Sequence, residues 1–154
     1  ECGHLLLEFD GYKPADYDYI FGVANMTFWL SEMTCDRCGS RGYLFNGLGT
    51  IQPRCEIHGS FPLGSLSPEI ASVLPFELID MGTVWTVMIS VFYRQILMHI
   101  RKNKMPTVMF QCIEKQSGKL VINFSGGDET TQGMVDMLLA YLAIIDEETG
   151  EALN

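Results

Sequence analysis

Basic residues are scarce in this chain, which has ten Lys or Arg against nineteen Asp or Glu and a net charge of −9. The field of so acidic a molecule repels phosphate backbones at long range and opposes non-specific binding to nucleic acid. Long apolar runs are also lacking, because the longest, residues 84–93, falls far short of the roughly 20 residues that cross a bilayer. The sequence therefore predicts a soluble protein with no membrane insertion.

Signatures of common enzyme classes are missing as well. No Ser-His-Asp set or kinase signature is visible, and residues 125–128 lack the Lys of a phosphate-binding loop and are typical of a turn followed by a helix N-cap. We therefore assign no catalytic or cofactor-binding residue. A chain of 154 residues has the usual size of one domain, so residues 1–154 are expected to form a single domain. No stretch is both polar and low in complexity, so fraying is expected only at the ends, such as residues 146–154.

The cysteines are few and unevenly distributed, since three of the five lie between positions 35 and 55. This clustering favours a metal site in a reducing, intracellular compartment over a disulfide framework. Two short motifs share one pattern of a ligand, two spacer residues, a second ligand and a glycine. The ligands are Cys35 and Cys38 in the first motif and Cys55 and His58 in the second. Two spacers let both side chains converge on one ion, and the intervening loop is long enough for a hairpin. Three thiolates and one imidazole favour zinc, although iron can occupy similar sites.

The pattern of residues 33–60 resembles the zinc-ribbon class of modules, with His58 in place of the commoner fourth cysteine. The resemblance implies a structural Zn²⁺, because four protein ligands leave no open position for a catalytic water. It implies no particular activity. Some nucleic-acid-binding proteins carry such a ribbon within an OB barrel, an arrangement that strands before Cys35 would permit. A redox pair of Cys35 and Cys38 is the rival interpretation, but it requires a helix after Cys38, and residues 39–49 are too rich in glycine for one.

The expected fold class is α+β, beginning with an N-terminal β-sheet. Residues 4–9 form a short apolar run, and residues 18–30 are rich in aromatic and β-branched side chains, as is typical of strands. In the second segment Met26, Phe28 and Leu30 occupy alternate positions and would share one face. This strand leads directly into the first cysteine pair, so the zinc ribbon at residues 33–60 would project from the sheet as an insertion.

Two central helices, a β-hairpin and a C-terminal amphipathic helix are expected after the ribbon. Ser67 and Pro68 offer an N-cap and a first helical position, and polar residues recur at helical spacing over residues 83–101. The β-branched residues of the latter segment leave a strand as its rival. Residues 108–112 and 120–124 alternate as in a hairpin, and helical spacing of apolar residues begins after Thr130.

Three classes of function are open on this sequence. The closed metal site, nine methionines and an apolar fraction of 47% favour a non-enzymatic adaptor or accessory subunit that contacts a protein partner or forms a homo-oligomer. An enzyme with a purely structural zinc would need acids or a histidine gathered in one pocket. A nucleic-acid-binding domain would use the basic residues beside the metal and those at the start of the basic segment 94–119; they are Arg37, Arg41, Arg54, Arg94, Arg101, Lys102 and Lys104. The basic segment 94–119 could instead pair with the acidic segment 128–154 within the fold.

Overall fold

The computed structural model describes residues 7–11, 13–47, 50–55, 57–59, 78, 81–104 and 107–153. Within these ranges the chain is a mixed α+β protein with three α-helices and two antiparallel hairpins. None of the described helices is long and apolar enough to cross a membrane. The elements are α1 (Tyr17–Glu32), β1 (Tyr43–Gly47), β2 (Thr50–Arg54), α2 (Thr83–Asn103), β3 (Met109–Gln116), β4 (Lys119–Ser125) and α3 (Glu129–Leu142).

The first element, α1, corrects the prediction of an N-terminal sheet. Residues 17–32 form a helix, and its buried residues Gly22, Met26 and Leu30 recur every four positions along one face. The apolar residues near Met26 fit both the two-residue period of a strand and the 3.6-residue period of a helix. The aromatic content of this segment wrongly favoured a strand. Residues 7–9 are not in a strand, whereas residues 4–6 lie outside the described ranges. A helix therefore leads into the first cysteine pair, and residues 17–32 do not supply the strands before Cys35 that an OB barrel would use.

Helices α1 and α3 meet at two glycines. A Cβ atom on Gly22 would lie 2.0 Å from the carbonyl oxygen of Thr130, and one on Gly133 would lie 2.2 Å from that of Tyr19. Only hydrogen fits at either position, so the two backbones are in direct contact. Beside this crossing the Tyr19 hydroxyl donates a 3.0 Å hydrogen bond to Asp136, which raises the pKa of Tyr19. The crossing fixes the separation between α1 and α3.

Residues 83–103 form the predicted helix α2 rather than the rival strand. Its nine buried residues all lie between Val84 and Ile96, so only this part of the helix is buried as expected. Phe92 is fully buried and packs edge-on against Phe110 of β3, with ring centroids 5.8 Å apart. Strands β3 and β4 form the predicted hairpin, although a register shift between Phe110 and Cys112 breaks the expected alternation. The helix predicted to start at Ser67 lies outside the described residues.

Helix α3 begins at the predicted N-cap and carries the apolar face that the sequence indicated. The Asp128 side chain accepts a 2.9 Å hydrogen bond from the Thr131 amide, while the Thr131 side chain reaches back to the Asp128 amide. His99, near the end of α2, also bonds to the Asp128 carboxylate at 3.0 Å. This capping box therefore joins the end of α2 to the start of α3.

Residues 144–153 after α3 form a hydrogen-bonded turn, in place of the frayed end that the sequence predicted for residues 146–154. Residue 154 lies outside the described ranges. Ile145 pairs with Ala152 in an antiparallel bridge, and the Asp146 carboxylate accepts hydrogen bonds from the amides of Glu148 and Thr149 at 2.9 and 2.8 Å. These bonds, the Thr149 amide foremost, lower the pKa of Asp146. The acidic carboxylate of Asp146 therefore stabilises this turn.

This C-terminal turn closes over the start of α2. The carbonyl oxygen of Glu147 accepts a 2.9 Å hydrogen bond from the Val84 amide, one of the N–H groups that a helix start leaves unpaired. The Glu147 carboxylate also forms an ion pair with Lys115 of β3 at 2.8 Å. The basic and acidic segments of the sequence are therefore paired at this point.

Candidate metal centre

The first metal corner, residues 35–39, is attached directly to the end of α1. Thr34 pairs with Arg41 in an isolated antiparallel bridge, so the chain between them forms a closed loop. Within that loop the Gly39 amide donates a 2.9 Å hydrogen bond to the carbonyl oxygen of Cys35. Gly39 has a φ of +78°, a left-handed conformation that side chains rarely adopt. The turn brings the side chain of Cys38 back beside that of Cys35.

The second metal corner, residues 55–59, begins where β2 ends. The amides of His58 and Gly59 both bond to the carbonyl oxygen of Cys55, at 3.1 and 2.9 Å. The antiparallel hairpin β1–β2, which the sequence predicted between the corners, returns the chain to the first corner. There the Asp36 amide donates a 3.2 Å hydrogen bond to the carbonyl oxygen of Pro53. The two corners are thus joined through backbone as well as through their side chains.

The predicted ligands Cys35, Cys38, Cys55 and His58 lie together, with one donor atom from each within 4.8 Å of the others. The sulfur atoms of Cys38 and Cys55 are 3.7 Å apart, and His58 Nδ1 lies 3.3 Å from the sulfur of Cys55 and 3.6 Å from that of Cys35. Tetrahedral zinc, with Zn–S near 2.3 Å and Zn–N near 2.0 Å, separates its ligands by about 3.8 Å for S–S and about 3.5 Å for S–N. The cluster could therefore hold one metal ion.

The electrostatics of the cluster favour a thiolate at Cys35. Burial raises the pKa of this thiol, but hydrogen bonds from the backbone amides of Cys55, Arg37 and Cys38 outweigh burial and lower the pKa to about 6. Burial raises the pKa of Cys55, whose proton a metal ion would displace on binding. Cys35 and Cys55 are buried, whereas Cys38 and His58 are exposed. One side of the cluster therefore faces the protein and the other faces solvent.

The three arginines predicted around the metal have different surroundings. Arg37 is exposed between the two ligands of the first corner. The Arg54 guanidinium is only 13% exposed and pairs with the carboxylate of Asp36, so its charge is compensated. Arg41 is partly buried and its backbone lies against Gly150 of the C-terminal turn. The other predicted partner-binding residues are also exposed. Arg94 lies in the middle of α2, Arg101 and Lys102 lie in its last turn, and Lys104 follows it.

A cleft of about 540 Å³, which the sequence did not reveal, adjoins the metal centre. It lies where α1, α3, the first metal corner and β2 meet. Thr27, Ser31 and Thr34 follow helical spacing along it, a signal that is visible only once α1 is known to be a helix. Burial raises the pKa of Tyr141, which keeps its hydroxyl proton. The lining residues are Thr27, Leu30, Ser31, Thr34, Cys35, Asp36, Gln52, Pro53, Met137 and Tyr141.

Comparison with protein families, curated proteins and solved structures gives no match to this chain. The chemistry of the site therefore follows from its own residues. Within the ranges that the structure describes, no other group of three or more His, Cys, Asp or Glu has its donor atoms gathered in this way. A cluster that could hold a metal ion is accordingly the main candidate functional feature of the described residues.

Proposed function

We propose that the chain is a non-enzymatic zinc-binding adaptor or accessory subunit that acts by contacting another protein or a second copy of itself. Cys35, Cys38, Cys55 and His58 hold one structural Zn²⁺ in a ribbon-like module, residues 33–60, inserted in a single domain of residues 1–154. Zinc-bound thiolates persist in reducing surroundings, so the protein acts inside the cell.

The donor set and its spacing support zinc in a structural role. Three thiolates and an imidazole match its softness, and the separations of the donor atoms match a tetrahedral shell. Four protein ligands complete that shell without water, which argues against catalysis at the metal. The short β1–β2 hairpin is only five residues per strand, so the ion would supply folding free energy that its own packing cannot.

The observation that carries the adaptor proposal is the position of Ile57. This apolar residue lies between the ligands Cys55 and His58, and 88% of its surface is exposed. A single exposed apolar residue is ordinary on a mobile loop, but here metal ligands on both sides would fix its backbone. A side chain held in place before binding loses little conformational entropy when a partner covers it. Ile57 is therefore suited to anchor a protein contact.

The proposal is tested by metal analysis and by a matched pair of variants. Elemental analysis of the reduced protein should find one equivalent of zinc, and the Cys38→Ser variant should lose most of it. Ile57→Ser should retain zinc yet lose self-association, measured by light scattering, or capture of a protein from the source cells. Ile144→Ser removes another isoleucine, 58% exposed after α3, and should retain both properties. A monomer that captures no protein would overturn the proposal.

Nucleic-acid binding is a second candidate because α2 ends in a basic segment. Arg94, Arg101, Lys102 and Lys104 are exposed, and no carboxylate in the described ranges pairs with them. Against it stand the net charge of −9 and the compensation of Arg54 by Asp36. This candidate predicts that binding to single- or double-stranded probes weakens steeply with salt and with the change Arg101→Glu, and it fails if no probe binds at low salt.

A further inference from the structure

The polar groups that line the cleft beside the metal centre have already used most of their donor protons. Thr27, Ser31 and Thr34 each donate the hydroxyl proton to a carbonyl oxygen in the preceding turn of α1, over 2.8, 2.7 and 2.8 Å. A hydroxyl has one proton to donate and two lone pairs to accept with. What these side chains still offer to a ligand in the cleft is therefore acceptor oxygen.

The same reasoning extends to Tyr141 on α3. Its hydroxyl oxygen lies 2.5 Å from Oγ1 of Thr34. Because the Thr34 proton is used on α1, the tyrosine must donate in this pair, and its own oxygen is left as an acceptor. The Asp36 carboxylate, 39% exposed, binds Arg54 through one oxygen and has further lone pairs free. Gln52, at the rim, is an exception because it can still donate hydrogen bonds. Its side-chain oxygen accepts from Arg54, which leaves its NH₂ group as a donor.

Apart from the predicted ligand Cys35, the remaining lining is apolar and would suit a long aliphatic stem. Leu30, Pro53 and Met137 contribute carbon surface from α1, β2 and α3. The cavity, about 540 Å³, lies within the usual range of ligand pockets, roughly 300–1,000 Å³, and exceeds what one side chain needs. Lysine and arginine side chains combine such a stem with a terminal group that only donates hydrogen bonds.

We propose that this cleft binds a lysine or arginine side chain presented by a partner protein, with the stem on the apolar lining and the cationic group among the acceptor oxygens. This inference rests on the proposed adaptor function and names the chemistry of the partner. The net charge of −9 attracts a basic segment at long range, whereas an anionic group would meet acceptor oxygens that have no proton to donate to it. A purely apolar side chain would leave those oxygens without donors.

The test uses the zinc-loaded full chain and matched peptides, acetyl-Ala-Leu-Lys-Leu-Ala-amide and the same peptide with arginine, norleucine or glutamate at its centre. Norleucine keeps the stem of lysine and removes the ammonium group. In ¹H–¹⁵N NMR titrations, the lysine and arginine peptides should shift the amides of Thr27, Ser31 and Tyr141 to saturation. The norleucine and glutamate peptides should bind at least about tenfold more weakly, as expected for lost hydrogen bonds to a charged group.

A pair of serine variants separates the cleft from general effects on the helices. Ser31→Ala removes one acceptor from the cleft while alanine preserves α1, so it should weaken the lysine peptide several-fold and leave the norleucine peptide unchanged. Ser90→Ala removes an equivalent hydroxyl, which donates to the Thr86 carbonyl at 2.8 Å in α2, and should change neither. Equal effects of the two variants would contradict the inference.

Two further outcomes separate this inference from the adaptor proposal. If the basic peptides leave the cleft residues unshifted while Ile57 is still needed for capture of a partner, the cleft inference fails and the adaptor proposal stands. If n-butylamine binds as tightly as the lysine peptide, the occupant is a small free amine, and the assignment to a partner protein is overturned. Competition between the lysine peptide and the captured partner would support both.

Discussion

Replacing Gly133 by alanine should destabilise the protein, although the change favours an isolated helix. A Cβ atom at this position would lie 2.2 Å from the carbonyl oxygen of Tyr19, whereas ordinary contact begins at 3.4 Å, so α1 and α3 would have to separate by about 1.2 Å. Alanine gains about 1 kcal/mol in helix propensity over glycine. Overpacking costs about 1–3 kcal/mol, and the upper end applies here because backbone cannot rotate away as a side chain can. The net expectation is a loss of about 2 kcal/mol.

Urea unfolding of the zinc-loaded protein, followed by circular dichroism, measures this loss as a lower midpoint at constant slope. Ala140→Gly provides the control, because residue 140 is exposed on the same helix and the change reverses the propensity term alone. It should cost about 1 kcal/mol. Glycine is therefore expected to be better than alanine at position 133 and worse at position 140. A rise in unfolding free energy for Gly133→Ala would refute the inferred backbone contact between the helices.

Two other predictions concern the metal and pH. Removal of zinc by a chelator should abolish hydrogen-exchange protection in β1–β2 but leave the far-UV signal of the helices, because the α1–α3 contact does not depend on the metal corners. Burial raises the pKa of Asp128, but bonds from the Thr131 amide and the His99 ring outweigh it and lower the pKa. Its carboxylate therefore contributes stability that is fully present above the unfolded pKa of about 4 and is lost as pH falls through the lowered folded value. Asp128→Asn keeps an N-cap acceptor but removes the charge, so it should be less stable than the parent at neutral pH, and its urea midpoint should fall less as pH drops below about 4.

Local patterns predicted the elements whose period was unambiguous. The spacing of polar residues identified α2, and two alternating runs identified the β3–β4 hairpin. The repeated ligand motif anticipated which four side chains would meet, since two spacer residues force each pair together and one hairpin joins the pairs. Helix α1 was missed because its apolar residues satisfy both the helical and the strand period near Met26, and no sequence feature indicated what Gly22 does. Its real role is a backbone contact with Thr130, more than a hundred positions away, which no local pattern encodes.

The cleft could not be predicted either, because it forms between segments that are far apart in the sequence. Its walls, however, include residues of the candidate metal centre. Cys35 and Asp36 of the first corner, and Gln52 and Pro53 of β2, form one wall, while α1 and α3 form the other. A zinc ion that closes the two corners would therefore also set the position of that wall. On the two proposals together, zinc raises the affinity of the cleft for a basic side chain, and linkage requires the bound side chain to raise the affinity for zinc by the same factor. The metal would then act as a structural element of the partner site rather than as a separate centre.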